Sequence, residues 1–126
     1  MIKRFLLTPW PLLLWTVMIF FLLTINTGSM ESAPKIKHLD KLVHFILFAV
    51  MAFLWIYPGK QKATIKLLFI FICVASYGAG MEWVQENFTS REFDWKDIYA
   101  DTAGAAAGVI VGKKIGPYGN RGRNQN

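Results

Sequence analysis

The stretch Asp94-Trp95-Lys96-Asp97-Ile98-Tyr99-Ala100-Asp101-Thr102-Ala103-Gly104-Ala105-Ala106-Ala107-Gly108-Val109-Ile110-Val111-Gly112 decides the fold. On a helix turning 100° per residue, Asp94, Asp97, Asp101, Gly104, Gly108 and Gly112 fall on one narrow stripe, because neighbours in that set are three or four residues apart. Gly104-x-x-x-Gly108-x-x-x-Gly112 is a doubled small-residue motif, which lets a second helix come close where packing, rather than exclusion of water, drives association. The stripe is therefore expected to face protein, and its carboxylates with it. An all-α bundle embedded in a membrane is the setting this predicts.

Composition agrees. Of 126 residues, 54% are hydrophobic, and they come in long blocks rather than the short runs of a soluble core. One domain over residues 1–115 is expected, with four spans at about 5–25, 40–57, 64–86 and 95–112. Twenty helical residues reach about 30 Å, enough to cross a bilayer. Pro9 and Pro11 lie near the start of the first span, where missing amide donors cost least. Met1-Ile2-Lys3-Arg4 also suits a signal peptide, but the apolar run is longer than usual and no A-x-A-like cleavage site follows, so a retained anchor is expected. Residues 116–126, rich in Gly, Asn and Arg, read as a disordered cytoplasmic tail.

The pI near 9.6 does not indicate nucleic acid, because no soluble face gathers the basic residues. Membrane topology accounts for them better. With the N-terminus inside, nine of the fourteen Lys and Arg fall on the cytoplasmic side, as the positive-inside rule requires, and both termini are cytoplasmic. All eight acids fall in the opposite loops or in the helix ends that border them. Cys73 is the single cysteine, so no internal disulfide can form. No HExxH, GxSxG or phosphate-cradling glycine loop is present, and no cofactor is expected.

Ala75, Gly78, Glu82, Gln85 and Glu86 share a face of the third span, and the short loop to Asp94 makes the third and fourth spans antiparallel neighbours expected to pack through these faces. Asp40 and His44, four apart, share a face beside Lys41. Glu82 lies inside an apolar run, where a charge costs at least about 2.5 kcal/mol, so it needs a partner such as Arg91, Lys41 or His44. His44 is a candidate proton carrier oriented by Asp40 or Glu82. Lys41 and Arg91 are candidate phosphate ligands, and Asp94, Asp97 and Asp101 candidate oxygen donors to a hard divalent cation. The structural alternatives are that Asp40 and Asp94 only serve helix N-termini and that the polar set is a lock between helices.

The D-K-x-x-H element at Asp40, Lys41 and His44 is followed by Y-G-x-x-x-E-x-x-Q at Tyr77, Gly78, Glu82 and Gln85. Then come Arg91, Asp94, Asp97, Asp101, Gly104 and Gly108, and the ordered set, from about Leu39 to Gly112, resembles the VanZ-like membrane proteins. Asp101 stands where that family commonly has Asn. The resemblance implies a small four-helix protein of the bacterial cytoplasmic membrane, in a family whose named member is associated with resistance to the glycopeptide teicoplanin. The family-like positions are Asp40, Lys41, His44, Tyr77, Glu82, Gln85, Arg91, Asp94, Asp97 and Asp101, and among them the chemistry of the side chains makes His44, Glu82, Asp40 and Asp97 the catalytic candidates and Lys41, Tyr77, Gln85, Arg91, Asp94 and Asp101 the candidate substrate contacts. Membrane lipids and a lipid-linked cell-wall intermediate or glycopeptide are the expected partners. Whether the protein is an enzyme or an accessory protein is left open by the residues.

Overall fold

The computed structural model describes residues 1–25, 38–59 and 63–116, and among these the chain is helical without strands. The helices are α1 (Ile2–Leu6), α2 (Trp10–Thr24), α3 (Leu39–Ile56), α4 (Thr64–Phe88) and α5 (Trp95–Ile115). The tail expected after Gly116, with Arg121 and Arg123, lies outside the described residues, as do Glu31, Lys60 and Lys62.

The first segment is not the single helix expected from residue 5 to residue 25. It breaks between Leu6 and Trp10, and α2 starts afresh with Pro9 at its cap and Pro11 in its first turn. Proline lacks the amide that helix continuation needs but costs nothing at a helix start, so these residues restart the helix. The 15 residues of α2 reach only about 22 Å.

Among the described residues, α3 and α4 are long and apolar enough to cross a membrane by length and composition. Only 33% of the apolar window of α3 and 22% of that of α4 is buried, whereas the core helix of a soluble domain is mostly buried. Leu42, Val43 and Ile46 on α3 and Ile65, Phe69 and Ile72 on α4 point outward, while His44, Glu82, Gln85, Asp97 and Asp101 are buried. Polar groups inside and large apolar groups outside invert the pattern of a soluble protein and fit a lipid solvent. Helix α5 bears Lys96, Asp97, Asp101, Lys113 and Lys114, charges that lower its hydropathy although its glycine face is buried.

Helices α3 and α5 form the most extensive contact and run parallel. Gly104 lies on the Phe45 carbonyl, Gly108 on the Ala49 carbonyl and the Ala52 methyl, and Gly112 on Ile56, each pair one or two turns further along both helices. The glycine stripe thus packs on α3, not on α4 as the short loop suggested. On its buried face α4 alternates Gly78 with Val74 and Met81, so it has no continuous small-residue groove to offer. It runs antiparallel to α5 and meets it where Gly78 abuts the Asp101 carboxylate. Glu86, expected on the same inner face, is exposed.

Helix α2 is held by three side-chain hydrogen bonds to main-chain carbonyls. Trp15 Nε1 donates to Leu47 (2.9 Å), Tyr77 Oη to Thr16 (3.0 Å) and Gln85 Nε2 to Leu23 (2.9 Å). Ile19, Phe48, Met51, Val74 and Ala105 fill the space between the helices.

Candidate functional site

The start of α3, the end of α4 and the start of α5 bring Asp40, Lys41, His44, Glu82, Arg91, Asp94, Asp97 and Asp101 to one end of the molecule. The register of α3 against α5 does this. With Gly104 beside Phe45, the residues one turn earlier on α5 fall beside His44, and those two turns earlier beside Lys41.

Asp94 joins three elements. Its Oδ1 accepts the Lys96 amide at 2.8 Å and caps α5, and its Oδ2 pairs with Lys41 Nζ at 2.6 Å. Its own amide donates to Glu82 Oε1 at 2.6 Å. The Lys41 ammonium, with the Lys96 amide, holds the Asp94 carboxyl below its ordinary value of 3.8. The expected helix-start acid and the expected site residue are therefore one and the same.

Lys41 also bonds Asp97 Oδ1, and Arg91 Nη2 bridges Asp40 Oδ2 at 2.6 Å and Asp97 Oδ2 at 3.4 Å. Both expected phosphate ligands are thus already engaged by carboxylates. Removing one member of a buried ion network costs about 3–5 kcal/mol, because a charge is left unpaired. Asp97 is 1% exposed and depends on both cations.

His44 Nδ1 lies 2.8 Å from Asp101 Oδ1, and each residue is 1% exposed. The carboxylate that orients the imidazole is therefore Asp101, not Asp40 or Glu82. With Nδ1 as donor to Asp101, the neutral imidazole keeps a lone pair on Nε2, which lies 3.8 Å from Asp97 Oδ2 and has no hydrogen-bond partner among the described residues. Asp101 Oδ2 is turned the other way, against Gly78. Glu82 makes no ion pair with Arg91, Lys41 or His44 among the described contacts; its Oε1 takes the Asp94 amide, because the loop after α4 folds back over it, and its Oε2 is buried without a partner.

Tyr77 and Gln85, expected as substrate contacts, reach α2 instead and bond its carbonyls, although Gln85 Oε1 is left unpaired in the interior. The expected cation set of Asp94, Asp97 and Asp101 is likewise divided, since Asp94 turns to Lys41 and Asp101 to His44. Asp40, His44 and Asp97 are the group that offers one ligand atom each within 4.8 Å of one another. The Thr16 and Leu23 carbonyls were not foreseen, and no residue-type signal exists for a backbone acceptor.

The VanZ/LLP1 family model matches residues 7–115. An uncharacterized protein of the fission yeast Schizosaccharomyces pombe is 30% identical over 97 residues, which cover 74% of this chain and 59% of the relative, so the chain spans well under two thirds of that protein's length. No solved structure matches. The described site falls wholly inside the matched region, and on that match the chain belongs to the VanZ/LLP1 family.

Proposed function

We propose that the protein crosses the bacterial cytoplasmic membrane four times, with α1 and α2 together forming the first span and α3, α4 and α5 the others. Both termini are cytoplasmic and the His44 cluster lies at the outer face. The basic bias of the loops supports that orientation, as do the alternating directions of α2 to α5.

In this reading the cluster binds and acts on the head group of a membrane lipid or lipid-linked envelope component. The observation that carries it is the buried His44 Nε2, oriented through Nδ1 by Asp101, 3.8 Å from Asp97 Oδ2 and left without a hydrogen-bond partner among the described residues. An imidazole so held offers its Nε2 lone pair to a substrate or water proton or to a metal ion, and the cost of burying such a group marks it as a functional candidate. The fission-yeast relative favours a head group common to bacterial and eukaryotic membranes over one found only in bacterial cell walls. Glycopeptide susceptibility enters as a phenotype to be measured.

Comparing lipids and cell-wall precursors in cells with wild-type protein, His44→Ala, Glu82→Gln and no protein tests this. Both variants should accumulate in the membrane yet match the cells without protein. If both lose folded protein instead, the cluster is a lock between helices. That second reading has its own support, since Lys41 and Arg91 each already pair with carboxylates of this cluster.

A further inference from the structure

The acid-rich cluster presents a charge problem that its own cations leave unsolved. Five carboxylates, Asp40, Glu82, Asp94, Asp97 and Asp101, share this end of the molecule with Lys41, Arg91 and His44, and two of them, Glu82 and Asp101, pair with neither Lys41 nor Arg91 among the described contacts. Four of these eight side chains are nearly solvent-free, where unbalanced charge is expensive. A phosphate or other anionic head group would add negative charge to this set, with both basic residues already taken.

We infer that Asp40, His44 and Asp97 bind a divalent first-row cation of the Mn²⁺ or Zn²⁺ kind, which is what allows an acidic cluster to receive an anionic head group. The donors are one imidazole nitrogen and two carboxylate oxygens within 4.8 Å of one another. Imidazole with carboxylate suits these ions better than Ca²⁺, which takes oxygen alone.

The independent observation is His44 itself. Its Nε2 is buried, lacks a hydrogen-bond partner among the described residues and lies 3.8 Å from Asp97 Oδ2. Ligand atoms about 2.0–2.2 Å from one ion lie roughly 3–3.5 Å apart, so a small movement of either side chain closes the site. Asp97 Oδ2 is available for this, because its contact with Arg91 is long at 3.4 Å while Lys41 holds the other oxygen. Behind the imidazole, Asp101 takes the Nδ1 proton at 2.8 Å, the arrangement by which an outer carboxylate fixes a metal-binding histidine in the right tautomer. Three protein donors leave further positions on the ion for a head-group oxygen or water.

This inference deepens the proposed function, and its test is independent of any lipid phenotype. The full chain, purified without a polyhistidine tag and stripped with chelator, is titrated with Mn²⁺ while free ion is followed by electron paramagnetic resonance, and with Zn²⁺ by calorimetry. One ion per chain is expected. His44→Ala and Asp97→Asn should each weaken binding at least about tenfold, since even outer-shell partners are worth about 10- to 100-fold. The exposed Glu86→Gln should leave it unchanged.

In the wild-type protein, spin-echo modulation from a coordinated imidazole nitrogen should appear on bound Mn²⁺ and persist in His38→Ala; this readout holds even if the His44 variant does not fold. Absence of both ions above a detergent blank overturns the inference. So does binding that survives both ligand substitutions, or bound Mn²⁺ without the nitrogen signature. A bound ion with unchanged lipids in cells would remove the functional reading and leave the metal site standing.

Discussion

Gly104 rests directly on the carbonyl of Phe45, with no room for a side chain between the two helices. That contact, repeated at Gly108 on Ala49, sets the register that puts Asp101 beside His44 and Asp97 beside Lys41.

Gly108→Ala should therefore be severe. The added methyl meets backbone rather than the end of a flexible side chain, so the helices must separate, at a cost at or above the roughly 1–3 kcal/mol of ordinary overpacking. Gly80→Ala meets nothing within 4 Å and replaces the weaker helix former, so it should be neutral or stabilise by up to about 1 kcal/mol. Thermal unfolding in detergent, run on the two variants side by side, checks the contrast.

Asp101→Asn and Asp101→Ala should differ sharply. Asn keeps an oxygen that accepts the His44 Nδ1 proton, the residue the family resemblance also places there, whereas Ala leaves a buried donor unpaired at about 1–3 kcal/mol. Stability and Mn²⁺ affinity should stay within about threefold of wild type for Asn, and affinity should fall about 10- to 100-fold for Ala.

Tyr77→Phe removes the hydroxyl that holds α4 to the Thr16 carbonyl. A loss near 0.6 kcal/mol, the average for hydrogen bonds between helices in a membrane, is expected, with the cellular phenotype intact. A phenotype lost without any change in stability would instead make Tyr77 a substrate contact.

Asp94 gives a pH dependence with a definite sign. Its folded carboxyl titrates below the ordinary 3.8, chiefly through Lys41, so its stabilising contribution is fully present above about pH 4 and is lost as pH falls through the lowered folded value. Asn caps a helix about as well as Asp, so Asp94→Asn removes the charge and spares the cap. The stability difference between wild type and Asp94→Asn, measured by unfolding across pH 2–7, should be constant above about pH 4 and shrink towards zero below it.

The stripe from Asp94 to Gly112 was legible because spacings of three and four state which side of a helix is buried. Periodicity does not say which neighbour lies there. Loop length favoured α4, and the actual partner, α3, is set by whether Ala49 and Ala52 or Val74 and Met81 can accept a glycine face. From that one pairing follows the identity of the histidine's carboxylate. Local spacing could suggest only Asp40, four residues away, while Asp101 is 57 residues distant. The break before Trp10 was written in Pro9 and Pro11, but an unbroken apolar run concealed it. Bonds to the Thr16 and Leu23 carbonyls involve no side chain on the accepting helix, so no residue pattern could announce them.

Because α3 and α5 are parallel, the chain must be threaded back through α4 before they can meet. Synthesis consequently delivers Lys41, His44 and Glu82 before Asp97 and Asp101. A chain ending before Asp94 would lack the carboxylates nearest the Lys41 ammonium and the His44 imidazole. Only the last helix completes the cluster.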